Sequence, residues 1–205
     1  MTAQYDYLVF TLARGRPARQ AFVAAMAAAR QALAARDAEL VGHFAPQLGF
    51  SSVEAVALIR RSRARDELPV EIARIGGVVR FDHDRLSPTV RPPDSAQLRS
   101  EPGIYVHRWF TIDAGRTDDF VDLSERAWKG FESSYDTEIF GLFRAEPNEN
   151  DARDNATRLL LLTWYRNHAS WEASREQAHD PASLFAQRHL LTRHTIGRSS
   201  TLVTI

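Results

Sequence analysis

One strand is written twice in this chain of 205 residues. Tyr5 to Arg16 reads YDYLVFTLARGR and Tyr105 to Arg116 reads YVHRWFTIDAGR, sharing the tyrosine, Phe-Thr, an aliphatic residue and Gly-Arg at an offset of 100. A second pair, DAELVGHF from Asp37 and DTEIFGLF from Asp136, recurs at an offset of 99. A weaker third, DRLSPTV from Asp84 and GRSSTLV from Gly197, falls where a last strand is expected. Offsets this close point to one unit copied in tandem, and a repeat governs every later inference about fold.

Each copy carries the same order of elements. In the first block Tyr7, Val9 and Thr11 alternate with Leu8, Phe10 and Leu12; in the second, His107, Trp109 and Thr111 alternate with Arg108, Phe110 and Ile112. That two-residue period is a strand. A helix follows, with Phe22, Met26 and Leu33 on one face in the first copy and Phe120, Leu123, Ala127 and Phe131 in the second. Thr117 ahead of Asp118 and Asp119 predicts a capped helix start. The Asp37 and Asp136 blocks are second strands, and VEAVALIRR and RLLLLTWYR are third strands. The hairpin between them carries EPNENDARDNA in the second copy, expected as a mobile surface loop. Second helices are expected over Pro69 to Ile75, and after Asp180-Pro181 ahead of Leu184, Phe185, Arg188 and Leu191. Last strands are expected at Arg85 to Val90 and Ser199 to Ile205.

A βαββαβ unit makes a four-stranded antiparallel sheet with its helices on one face, and two copies can cover each other's bare faces. The fold class expected is therefore α+β: tandem duplicated ferredoxin-like units forming a dimeric-α/β-barrel-type fold within one chain. Residues 1–92 are the first repeat, 93–102 a linker and 103–205 the second repeat.

Composition removes several function classes. With no cysteine, disulfides, thiolate metal sites and cysteine nucleophiles are excluded. The 26 basic and 26 acidic residues cancel, so no global field recruits nucleic acid or an anionic membrane. Lys129 is the only lysine, and compositional bias accounts for a surface filled with arginine. The N-terminus lacks a basic region followed by an apolar one, and no apolar run reaches membrane-span length, so a cytoplasmic location is expected. Phosphate-binding glycine loops, His-Glu-x-x-His and Gly-x-Ser-x-Gly are missing.

The alternation also chooses a candidate site. If Phe10, Leu12, Phe110 and Ile112 pack beneath the helices, then Tyr7, His107, Trp109 and Thr111 line the space between the two sheets. Trp164 and Arg166 on the third strand, and Arg144 on the second, are expected to converge there. His107 is the candidate catalytic residue, a neutral imidazole beside an arginine that acts as general base or orienting donor on an aromatic or keto substrate. Tyr7, Trp109, Arg144, Trp164 and Arg166 are the candidate ligand-binding residues. The competing reading is a satisfied, partly buried sheet histidine. His179, Asp180 and His189 could be imagined around a metal, but a helix-cap role explains Asp180, and no metal is expected. His83, in FDHDR, is placed at a solvated strand end. No cofactor is expected, with haem on His107, His43 or His168 as the alternative.

The second half, through GIYVHRWFTIDAGR, TEIFGLFR and LLLLTWYRNHASWEASRE, resembles a NIPSNAP-family domain of the dimeric α/β-barrel superfamily. The resemblance covers Gly103 to Ile205 and reaches the first half through the repeat. It implies a barrel-forming protein whose relatives include cofactor-free monooxygenases, lactone isomerases, polyketide cyclases and haem proteins such as chlorite dismutase, and it carries over no catalytic residue. The leading expectation is a protein binding a small hydrophobic or aromatic molecule between its sheets. The alternatives are a cofactor-independent isomerase, cyclase or monooxygenase, and a non-catalytic structural or interaction module. Neither nucleic acid nor a membrane span is expected, and a homodimer through a strand edge is.

Overall fold

Strand edges expose unpaired backbone donors and acceptors, and a chain carrying two four-stranded sheets can satisfy both by joining them. The computed structural model, which describes residues 3–62, 72, 75–175 and 183–204, has this solution. The first repeat consists of β1 (Gln4–Leu12), α1 (Arg16–Ala34), β2 (Ala38–Leu48), β3 (Glu54–Arg61) and β4 (Val78–Pro88). The second consists of β5 (Ile104–Asp113), α2 (Thr117–Ser134), β6 (Thr137–Ala145), α3 (Glu149–Arg153), β7 (Ala156–Tyr165), α4 (His168–Ala173), α5 (Leu184–Leu190) and β8 (Thr192–Leu202). The strands close into one barrel in the order β1-β3-β2-β8-β5-β7-β6-β4. Every neighbouring pair is antiparallel, and the seams between repeats are β2 with β8 and β4 with β6. The seams are short, joining Leu86–Pro88 to Phe143–Ala145 and Phe44–Leu48 to Ser199–Leu202.

The register carries the duplication. Phe10 pairs with Ala55 and Phe81, as Phe110 pairs with Leu159 and Thr195. Gly42 and Gly141 each follow a bulge at the same place in β2 and β6. The third sequence match is slipped by one residue: Asp84 lies beside Tyr7 as Arg198 lies beside His107, so Asp84 corresponds to Arg198 and not to Gly197. Both last strands also begin earlier than expected, at Val78 and Thr192, because their outward residues are polar and exposed and hide the alternation.

Local chemistry corrects three further expectations. The polar hairpin of the second copy is partly helical: the Asn148 side chain accepts from the Asp151 backbone and Asp151 accepts from that of Asn148, a capping box that starts α3. Thr117 donates its hydroxyl to the Ala114 carbonyl at 3.0 Å instead of capping α2, leaving Asp118 and Asp119 to favour the positive end of the helix. α5 is capped by Ser183, which accepts from Ala186. Asp180-Pro181 lies outside the described residues, as does the first-copy helix expected from Pro69 apart from buried Ile72 and Ile75.

Side chains separate into three cores. Tyr5, Tyr7, Phe44 and Leu58 from the first repeat meet Tyr105, Phe143, Leu160 and Trp164 from the second inside the barrel. Outside it, Leu8, Phe10 and Leu12 pack on Phe22, Met26 and Leu33 of α1, and Val106, Phe110 and Ile112 on Phe120, Trp128 and Phe131 of α2. The strand faces are thus those read from the sequence. No described helix is long and apolar enough to cross a membrane.

The segment read as a linker seals one end of the barrel. Ala96 and Leu98 pack against the interior core. Tyr105 donates to the Arg99 carbonyl at 2.7 Å, and the Trp164 indole donates to that of Glu101 at 3.3 Å. The repeated glycines make room for this seal. A methyl added at Gly42 would meet the flexible end of Leu98 and the Phe44 ring, whereas one at Gly141 would meet Pro92 Cδ at 2.5 Å and the Phe143 ring at 3.0 Å. Gly141→Ala should therefore destabilise the protein by about 1–3 kcal/mol, and more than Gly42→Ala, because a proline ring cannot swing aside. Urea unfolding of the two variants checks the order; equal losses would mean that the linker is free to yield.

Candidate functional site

Inside the barrel, His107 is fully enclosed. Its Nδ1 lies 3.1 Å from the Tyr7 hydroxyl and its Nε2 2.7 Å from Ser200 Oγ, and Ser200 reaches the Tyr105 carbonyl at 3.5 Å. The rings of Phe44, Phe50 and Tyr7 stand 4.9, 5.5 and 5.7 Å from the imidazole. Burial, and after it the charge of Arg198, pushes the His107 pKa down to about 3, so the ring is neutral. Burial also raises the Tyr7 pKa, keeping its hydroxyl protonated. Each imidazole nitrogen thus meets a hydroxyl, Tyr7 at Nδ1 and Ser200 at Nε2, and in the neutral ring one nitrogen donates and the other accepts. Both ring nitrogens are used, and no lone pair of the imidazole faces a reactant.

The other residues expected with His107 divide. Trp109 is half-buried, 5.6 Å edge-on from Tyr7, with the Arg158 guanidinium 5.4 Å over its ring. Trp164 is buried in the same interior but pairs across to Tyr105 at the linker end, beneath Arg99 at 3.9 Å. Arg144 does not join them, because Phe143 and Ala145 take the inward positions of β6 and leave Arg144 exposed outside. Arg166 falls just past the end of β7, exposed and paired with Asp136 at 2.8 Å.

A cavity of about 320 Å³ lies on the other side of the second sheet, beneath its helices. Val106, Phe110, Trp128, Phe131, Leu161 and Phe185 give it apolar walls, and Arg108, Thr163, Tyr165 and Arg188 bring polar groups. Arg188 is 6% exposed. Its guanidinium stacks 5.0, 5.4 and 5.1 Å from the rings of Phe110, Phe120 and Phe185, and donates to Ser124 at 3.3 Å. Burial, then neighbouring Arg108, pushes the Arg188 pKa down to about 9, and burial lowers that of Arg108 as well.

These residues were not selected from the sequence, although one signal was present. Arg108 interrupts the helix-facing row Arg108, Phe110, Ile112, where the first copy has Leu8, Phe10 and Leu12. Arg188 gives no such signal, because a helical arginine ordinarily faces water.

None of the three histidines considered for haem lines this cavity. His107 has no free nitrogen, His43 is buried beside Phe22 at 5.3 Å, and His168 bonds Ser199 at 3.0 Å. His107 thus has no nitrogen left for an axial bond, whereas His43 keeps its buried Nδ1 without a partner and His168 engages only Nε2. Among the described residues no three His, Asp or Glu side chains are grouped to hold a metal; His179 and Asp180 lie outside them.

The enclosed Tyr7–His107–Ser200 chain carries a definite pH signature. His107→Ala should cost about 3 kcal/mol, since it opens a cavity and strands two hydroxyls. His43, also pushed down by burial to about 4, shares the signature. Below the ordinary value of 6.5 the unfolded chain takes up protons that folded His107 and His43 refuse. Their stabilising effect is whole above that pH and is lost toward pH 4, by about 1.4 kcal/mol per pH unit for each histidine. Urea unfolding between pH 7 and 4.5 should give a shallower slope for His107→Gln; an unchanged slope would mean that His107 is protonated in the native state.

No family model matches this chain and no curated protein matches it. Solved structures do. A chlorite dismutase from Candidatus Nitrospira defluvii (R173A mutant) is 9% identical with a TM-score of 0.62, covering 98% of this chain and 91% of its own. An anthrone oxidase-like protein is 10% identical at 0.61, covering 100% and 92%. A major regulator of staphylococcal pathogenesis is 8% identical at 0.51, covering 98% and 99%. Their named roles differ, and likeness at these identities is one of fold. The chain has the dimeric α/β-barrel fold, with both ferredoxin-like units supplied by a single polypeptide.

Proposed function

We propose that this protein binds a compact hydrophobic molecule in the cavity between the second sheet and helices α2 and α5, and not between the two sheets. The observation that carries the reading is the contrast between the repeats. At matching register, Leu8 and Ile59 fill the first copy beneath α1 where the second copy has Arg108 and Thr163. Met26 packs four residues beyond Phe22, where the second copy has Ser124 four residues beyond Phe120. One copy is a core and the other, with the same backbone plan, is a chamber of about 320 Å³, within the range of small-molecule sites.

The barrel interior does not serve as the ligand chamber in this reading, since aromatic rings and a saturated Tyr7–His107–Ser200 chain fill it. The strands that resemble the NIPSNAP family, β5, β6 and β7, form the floor of the cavity, which keeps a NIPSNAP-like identity for this half inside the same proposal. In this reading His107 supports the barrel interior and the cavity binds its ligand without it.

Calorimetric titration with 2-naphthylmethanol, a neutral bicyclic probe, tests the site. Saturable one-to-one binding is expected, weakened at least tenfold by Leu161→Trp, which puts an indole into the cavity; tenfold is about 1.4 kcal/mol. Binding that persists unchanged in Leu161→Trp would place the ligand elsewhere.

A further inference from the structure

Buried cations ordinarily carry a partner, because removing a charge from water costs several kcal/mol unless an opposite charge or a full set of hydrogen bonds replaces the hydration. The first repeat obeys this rule. Its buried Arg61 donates through Nε to Asp6, whose other oxygen lies 2.8 Å from His83 Nε2, and both members of the Arg61–Asp6 pair are within a few per cent of full burial.

The second repeat breaks it at the same layer. Asp6 corresponds in register to Val106, and Arg61 to Tyr165. Arg108 and Arg188 face the cavity instead, near enough for each other's charge to be felt, and among the described residues neither has a carboxylate partner. Arg188 is served by one neutral hydroxyl and three phenyl faces. Trp128, also in the wall, keeps its indole N–H buried without an acceptor. Among the described residues no acidic side chain lines the cavity. The described walls are therefore rich in donors, and their surplus of charge is positive.

We propose that the ligand of this cavity is a compact hydrophobic acid, its ring system held by Phe110, Trp128, Phe131 and Leu161 and its carboxylate held by Arg108 and Arg188. The inference rests on the binding reading above and names the class of molecule. Guanidinium forks match the two oxygens of a carboxylate, and the desolvated setting strengthens the pairing. A phosphate dianion is more strongly hydrated and costs more to bring into a cavity with apolar walls. In charge, the ligand's carboxylate does for these arginines what Asp6 does for Arg61 in the first repeat.

The test compares 2-naphthoate with its neutral isostere 2-naphthylmethanol by calorimetry at pH 7.5, in the wild type and in Arg108→Leu. That variant restores the residue the first copy carries, so the fold has already accommodated it once. The acid is expected to bind at least tenfold more tightly than the alcohol to the wild type. In Arg108→Leu the preference for the acid over the alcohol should fall to threefold or less. Thermal melting of the ligand-free proteins gives an independent readout: Arg108→Leu should melt higher than the wild type, because it removes one of two uncompensated charges, and 2-naphthoate should raise the wild-type midpoint more than the variant's. Equal binding of acid and alcohol, or a preference that survives in Arg108→Leu, overturns the acid assignment while leaving the hydrophobic site standing. Failure of both probes to bind overturns the site itself, and the assignment with it.

Discussion

Barrel closure is the constraint on which the rest of this structure depends. Eight antiparallel strands pair in a ring, so each strand has one side turned into a shared interior and the other turned toward its own repeat's helices. A one-residue slip in any strand would exchange these sides, and closure with two seams makes such a slip costly everywhere at once. The interior belongs to both repeats: the Tyr7 hydroxyl of the first is hydrogen-bonded to His107 of the second, and Tyr105 of the second packs on Phe44 of the first at 5.3 Å. Neither half has a complete core of its own inside the barrel, which is why the connecting segment, with Ala96 and Leu98 against that core, is part of the packing and not a tether.

Duplication then frees one copy to change. The first repeat keeps an apolar layer of Leu8, Ile59 and Met26 beneath its helix and closes the end of that layer with the Asp6–Arg61–His83 cluster. The second retains the aromatic pair at the helix, Phe110 with Phe120 at 4.9 Å as Phe10 with Phe22 at 4.9 Å, and hollows the layer beside it. Stability and binding are divided between halves of one fold. A cavity in a small unduplicated sheet would weaken the only core available, whereas here the barrel interior and the first repeat's outer core are untouched by it.

Much of this was legible in the sequence because it depends on nearest neighbours and period. The repeat, the strand faces of β1 and β5, the helix faces of α1 and α2 and the closed pairing of two similar units all follow from spacing along the chain. Where the reading went astray, a local signal competed with a distant partner. Polar residues in β4 and β8 masked strands whose hydrogen bonds come from the other elements of the barrel. The hairpin EPNENDARDNA looked mobile by composition, but Asn148 and Asp151 cap a turn of helix and Arg158 ties Asp151 at 2.8 Å and Asp84 of the other repeat at 2.7 Å. Arg144 and Arg166 were expected with His107 from strand order alone, and a single inward position or a strand end decides against each.

The sequence by itself determined that two like units share one chain, which strand faces meet the helices, and that His107, Trp109 and Trp164 turn inward, since alternation and repeat length are properties of the chain. Only the tertiary structure decided that the inward space is filled and the helix side of the second repeat is hollow. The physical reason is that packing volume is a sum over residues far apart in sequence. Arg108, Thr163, Tyr165 and Arg188 come from three elements, and whether they enclose a chamber depends on what Phe110, Ser124 and Phe185 leave unfilled around them. Likewise a charge is paired or unpaired only with respect to neighbours that folding brings close, so the contrast between Arg61 beside Asp6 and Arg188 beside rings could not be read before the barrel was closed.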